Sequence, residues 1–312
     1  MTSPLATSLI NTFARQMARH GRALVIGVPL WWLIIFFLIP FAVVAKISFS
    51  EAIIARPPYS PLLEWLDDGG LAIKVFFENY SRLIEESLYI KAYWSSIKVA
   101  FVSTFIALLI AYPMAYYIAR TSERRRNVLL MLIILPFWTS FLLRVYAWIG
   151  ILKTNGVINN VLMSLGITSE PIVMMQTNFA VYVGIVYTYL PFMILPLFTN
   201  LVKLDNSLLE ASADLGASPV TTFFKVTLPL SVPGIIAGSM LVFIPVVGEF
   251  VIPALLGGPD TLMIGKVLWN EFFSNRDWPA ASAVAIVMLV LLVIPIMLLR
   301  NAQNASAQRE SA

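Results

Sequence analysis

Hydrophobic residues in this chain fall into long runs between sparse charges, and those runs set the first expectation. Ala23–Ala45 holds 23 residues without a charge, Val99–Ala119 holds 21, Val226–Gly248 holds 23 and Trp278–Leu299 holds 22. Each matches or exceeds the ~20 residues that a helix needs to cross a ~30 Å hydrocarbon core. Pro171–Val202 is uncharged over 32 residues, with Phe179–Val202 as its continuous apolar part. A further run, Val128–Leu152, is interrupted by Arg144. None of these is the alternating segment of ~10 residues that builds a membrane β-barrel. A helix is the other way to satisfy backbone polar groups in lipid. The pattern therefore predicts an all-α membrane protein with six transmembrane helices.

Composition sharpens this. Of 312 residues 59% are hydrophobic and 12% charged, about half the charge of a soluble protein, which excludes a soluble fold. There is no cysteine and one histidine, His20, so disulfides, thiolate chemistry and histidine-rich metal sites are excluded and no metal site is expected. The net charge of +4 reads as topology and not as affinity for nucleic acid. If both termini face the cytoplasm, the segments on that side hold eleven basic residues against five acids. The block Glu123–Arg126 in a short loop gives the strongest sign. This predicts N-in, C-in, with a cytoplasmic segment at 1–22, a six-helix domain at 23–299 and a tail at 300–312. A cleavable signal peptide is the rival reading of the first run, whose 23 residues exceed the usual 7–15. Tyr89, Tyr93, Trp94, Trp148 and Trp278 are expected at the outer interface. An outer loop at about 47–96 carries PPYSP (Pro57–Pro61) and DDGG (Asp67–Gly70), both turn signals. Both termini are expected to be loosely ordered.

The cytoplasmic stretch at about 203–229 carries the densest local signals. Ser207 with Glu210 reads as a capping box, Gly216 as a left-handed C-cap, and Ser218–Pro219 as a fresh helix start. Pro229 is expected to open the next span. The result is a helical knob displaying Leu208, Leu209, Leu215, Phe223 and Phe224, either to a partner or against its own transmembrane helices.

At these positions the chain resembles a known family. Glu210, Ala211, Gly216, Val226, Leu228 and Pro229 match the spacing of the EAA loop of permease subunits of bacterial ABC importers, with Ser212 where a second alanine is usual. LPFWTSFLLRVYAWIGIL from Leu135, YTYLPFMILPLFTNL from Tyr187 and VFIPVVGEFVIPALLGGPDTLMIGKVLWNEFFSNRDWP from Val242 resemble the polyamine branch, within it the first permease of putrescine systems. The resemblance implies a type I importer permease fold in the bacterial inner membrane. It also implies a heterodimer with a second homologous permease, a periplasmic polyamine-binding protein and an ATPase dimer. The loop would then be the coupling helix, with Glu210, Ala211, Leu215, Gly216, Phe223 and Phe224 meeting the ATPase. No Walker A sequence occurs here, so ATP and Mg are expected on the ATPase subunits and no cofactor or enzymatic activity on this chain.

Two ionisable residues interrupt apolar sequence, Arg144 and Glu249, and such residues persist with a partner or a purpose. Glu249 sits among Pro245, Gly248 and Pro253, where irregular backbone is expected. It reads either as a counter-charge for a passing ammonium group or as the structural partner of Arg144. Trp138, Tyr146, Trp148, Tyr187, Tyr189 and Phe192 could offer ring faces to a cation, or simply pack. Gly234 and Gly238 form a pair that permits close helix approach. With one carboxylate for a dication, the charge count also favours a different second permease. Rival classes are a permease for spermidine, an amino acid or an inorganic ion, and a secondary transporter, which would carry several intramembrane carboxylates. An intramembrane enzyme lacks its catalytic constellation.

Overall fold

The computed structural model describes residues 21, 25–65 and 71–310, so the segment before residue 21 and the Asp67–Gly70 turn lie outside the described residues. Among these, five helices are long and apolar enough to cross a membrane: Val25–Ser48, Ser87–Arg120, Phe141–Ser164, Asn178–Leu201 and Pro219–Val247. A shorter apolar stretch covers Trp278–Ile294. The chain divides into two compact units.

The first unit comprises residues up to Ser81 together with Arg276–Val290. It contains α1 (Val25–Ser48) and an antiparallel hairpin, β1 (Leu63–Trp65) with β2 (Leu71–Ile73), in the register Leu63 opposite Ile73. The start of α2 (Glu78–Glu85) ties this outer loop to the end of α1. Asn79 Nδ2 donates to the carbonyls of Ser48 at 3.0 Å and Ser50 at 2.8 Å, and Phe49 packs on Phe77 and Tyr80.

The second unit comprises Arg82–Asn275 with the residues from Leu291 onward. Its elements are α3 (Ser87–Arg120), α4 (Glu123–Ile134), α5 (Phe141–Leu152), α6 (Val157–Ser164), α7 (Asn178–Leu201) and α8 (Asn206–Asp214). α9 (Pro219–Val247), α10 (Val251–Leu256) and α11 (Ile264–Trp269) follow. The core is α3, α7 and α9 packed pairwise. Small residues make this possible. Ala92, Ser96, Ala100, Ser103, Ala107, Ala111 and Ala115 recur at three- to four-residue spacing on α3 and are all fully buried, which lets helix backbones approach closely. Gly234 and Gly238 of α9 serve as expected. A Cβ at Gly238 would meet Met193 Sδ at 2.8 Å, and one at Gly234 would meet Asn200 Cβ at 2.7 Å.

Four expectations need correction. The run Val128–Leu152 is not one helix: it breaks at Leu135–Trp138, a 3₁₀ turn, followed by extended Thr139 and Ser140. Pro136 lacks an N–H and crowds the preceding turn, and Thr139 Oγ1 donates to the Pro136 carbonyl at 2.7 Å. Pro229 does not open a span. The helix runs on from Pro219, and its ladder widens to π geometry at Phe223–Thr227, just before a residue that has no N–H to return. α3 begins at Ser87, twelve residues ahead of the uncharged run, and its 34 residues reach about 51 Å, well past the hydrocarbon core. The last helix, α12 (Trp278–Glu310), extends through the tail that was expected to be loose.

Candidate functional site

Two places collect the chemistry that the sequence singled out. The first is the knob of α8 and the start of α9. Its N-cap is Asp205 and not Ser207: the Asp205 carboxylate accepts from the Ser207 N–H at 2.9 Å. That N–H holds the Asp205 carboxyl below its usual range. The capping box is absent because Ser207 already lies inside the helix, one turn ahead of exposed Glu210. The corner itself follows the sequence. Gly216 has φ +77°, its N–H donates to the Ala213 carbonyl at 2.8 Å, and the Ala217 N–H donates to the Ser212 carbonyl at 3.1 Å. Ser218 then caps α9 through the Thr221 N–H. Leu215 is 88% exposed and Phe224 60% exposed, with Leu208 and Val220 also open; Ala211 is exposed beside them. Phe223 departs from the expected display: it packs edge-on against Tyr112 at 5.5 Å and Tyr116 at 6.5 Å, holding the knob to α3.

The second place is the gap between α9 and α10. Gly248, Glu249 and Phe250 leave helical geometry, as the prolines and glycine foretell. The Glu249 side chain, 8% exposed, turns back over the start of α10. Its Oε1 accepts from the N–H groups of Phe250, Val251 and Ile252 at 3.2, 3.0 and 3.3 Å. Its Oε2 accepts from the Tyr189 hydroxyl at 2.5 Å. A carboxylate at a helix N-terminus meets free donors and the positive end of the helix dipole. The gap is tight: a Cβ on Gly265 would strike the Gly248 carbonyl and approach the Glu249 carbonyl at 2.7 Å. The Ile264 N–H is held by Ser96 Oγ of α3 at 2.8 Å.

Arg144 is not the partner of Glu249, because that carboxylate is filled by α10 and Tyr189. The Arg144 guanidinium instead lies over the rings of Phe137 at 4.9 Å and Phe141 at 6.0 Å. Among the expected ring faces, Tyr189 meets Glu249 and neighbours Phe192, the two ring centroids 6.1 Å apart. Tyr187 is on another face of α7, packed edge-on to Trp148 at 5.4 Å. Trp138 is 77% exposed, and Tyr146 is also open on the surface.

The structure adds residues that sequence reading passed over. Glu271 is 4% exposed; it accepts from the Tyr89 hydroxyl at 2.9 Å and from Asn275 Nδ2 at 2.9 Å. Tyr89 is therefore a buried ligand of an acid and not an interface ring. Phe250 stacks on Trp269 at 4.2 Å and Trp269 meets Phe273 at a 36° tilt at 4.1 Å, a ladder following on from Glu249 and flanking Glu271 in sequence. Glu271 lies between Lys266 and Arg276, so a walk between charges assigns it to a loop. Its signal was an acid set among aromatics in WNEFF. With two buried carboxylates, the charge count no longer argues for a different second permease.

A discontinuous bundle with a buried carboxylate capping a helix in a gap and an exposed apolar knob has the character of a transport subunit. The chain belongs to the family of binding-protein-dependent transport system inner membrane components, whose pattern matches residues 5–307. It is 41% identical over 275 residues to the spermidine/putrescine transport system permease protein PotB of Haemophilus influenzae, covering 88% of this chain and 91% of that one. It is 39% identical over 262 residues to PotB of Escherichia coli, covering 84% and 90%. Its fold matches a bacterial ABC transporter involved in the import of the acidic polysaccharide alginate, with TM-score 0.67, 16% identity and coverage of 93% of this chain and 99% of that one. The fold is that of type I ABC importer permeases, and the chain is a multi-pass inner-membrane protein.

Proposed function

We propose that this chain is one of two permease subunits of an ATP-driven importer of short polyamines, with putrescine as the principal substrate. One observation carries the reading: Glu249 is a buried carboxylate with no basic partner among the described residues, bonded to Tyr189, whose ring neighbours that of Phe192. Its hydrogen-bond donors are all neutral, so a basic group is lacking there and a passing cation can supply it, and ring faces add ~0.5–2 kcal/mol per contact. The relatives named for spermidine/putrescine transport support the same substrate class.

In this reading a periplasmic binding protein delivers the polyamine and a second homologous permease closes the path. As the ammonium group passes, it exchanges water for Glu249 and the adjoining rings. This chain performs no chemistry. ATP and Mg are bound and turned over on an ATPase dimer, whose motion enters through the exposed apolar face of α8 and the Gly216 corner.

Uptake of radiolabelled putrescine by cells that express the whole transporter, compared with cells lacking only this chain, tests the substrate class. Uptake restored by the chain and competed by unlabelled spermidine is the expected result. Restored uptake of an amino acid or inorganic ion, with no polyamine transport, rejects it.

A further inference from the structure

Arg144 is the cation that the proposed path does not use. Its Nε is buried and has no hydrogen-bond partner, although a guanidinium has five donors to satisfy. It lines a cavity of about 340 Å³ among apolar side chains of α3, α4 and α7, including Met114, Leu129, Leu132 and Ile194.

The missing anion can be identified by elimination. Glu249 is engaged by three amides and Tyr189. A polyamine would be repelled. A lipid phosphate lies too far away. Arg126 and Lys153 are the charges that bound the apolar stretch around Arg144, eighteen and nine residues away, so the nearer charged end is about 14 Å off along a helix, close to half of a ~30 Å core. Its guanidinium leans further from that end, over the rings of Phe137 and Phe141, which precede it. An anion at this depth has to be carried on a protein side chain. Beside Arg144, Leu143, Leu142 and Trp138 form an open apolar surface suited to another helix.

We propose that Arg144 receives a carboxylate side chain of the second permease subunit, inserted into the cavity between α3, α4 and α7. This rests on the two-permease reading above. Arginine suits such a pair, because its planar fork can bind a carboxylate through two hydrogen bonds. Removal of either member leaves the other charge buried and unpaired.

The test uses the whole transporter. A photo-cross-linking amino acid replaces Leu132 at the cavity wall, and the tagged complex is irradiated and digested. The expected product joins this chain to a peptide of the second permease that contains Asp or Glu. Arg144→Gln, and neutralisation of that acid, should each lower recovery of the second permease at least about tenfold, with this chain's own membrane level unchanged. The double variant should regain most of it. Cross-links to lipid alone, to this chain alone or to an acid-free peptide overturn the inference, as does undiminished recovery with Arg144→Gln. Failure of any second permease to co-purify with the unmodified chain removes the two-permease reading itself, a result distinct from those.

Discussion

Leu215→Asp is expected to leave the chain in the membrane and to strip the proposed ATPase from the complex. The side chain is 88% exposed, so the fold has little stake in it, whereas an apolar docking surface has much. Hot-spot losses at interfaces run to 2 kcal/mol or more, which is a ~30-fold weaker association. Gly216→Pro goes further. Proline cannot adopt φ +77° and has no N–H for the Ala213 carbonyl, so the corner between α8 and α9 reorients. Uptake should fall below detection in both variants, and co-purification of the ATPase should fail for Leu215→Asp with normal levels of this chain. Retention of the ATPase and wild-type uptake by Leu215→Asp would reject the knob as the docking element.

Replacement of Glu249 has a different signature. In Glu249→Gln the amide oxygen can still accept from the start of α10, while its NH₂ donates to the Tyr189 oxygen. Assembly should therefore survive and polyamine uptake fall at least about tenfold, since the charge alone has gone. Glu249→Ala also strands the α10 amides, at ~0.5–2 kcal/mol for a lost cap, so it should lower both yield and transport. Because the carboxylate is not joined to Arg144, combining Glu249→Gln with Arg144→Gln should restore nothing. Full uptake by Glu249→Gln would reduce the residue to a helix cap.

Much of this architecture was legible because lipid imposes a strict grammar on sequence. Charge-free runs located the apolar helices, glycine and proline located the knob corner and the gap at Glu249, and Gly234 with Gly238 foretold a close helix contact whose partner, α7, the structure supplies. The errors share a cause as well. Charges and prolines were read as local punctuation, but tertiary partners decide their effect. Pro136 broke a run that Arg144 was expected to interrupt, a π turn carried a helix through Pro229, and Asp205 took the cap assigned to Ser207. Glu271 stayed hidden because burial of an acid beside Tyr89 depends on residues 182 apart in sequence, which no window can join.

The central claim is that this chain conducts polyamines under ATP drive, and the most direct test is hydrolysis by the purified complex in lipid. The complex, supplied with its binding protein and Mg-ATP, should raise its ATPase rate when putrescine is added and lose that response with Glu249→Gln. Stimulation by an amino acid or an inorganic ion, with none by putrescine or spermidine, would contradict it.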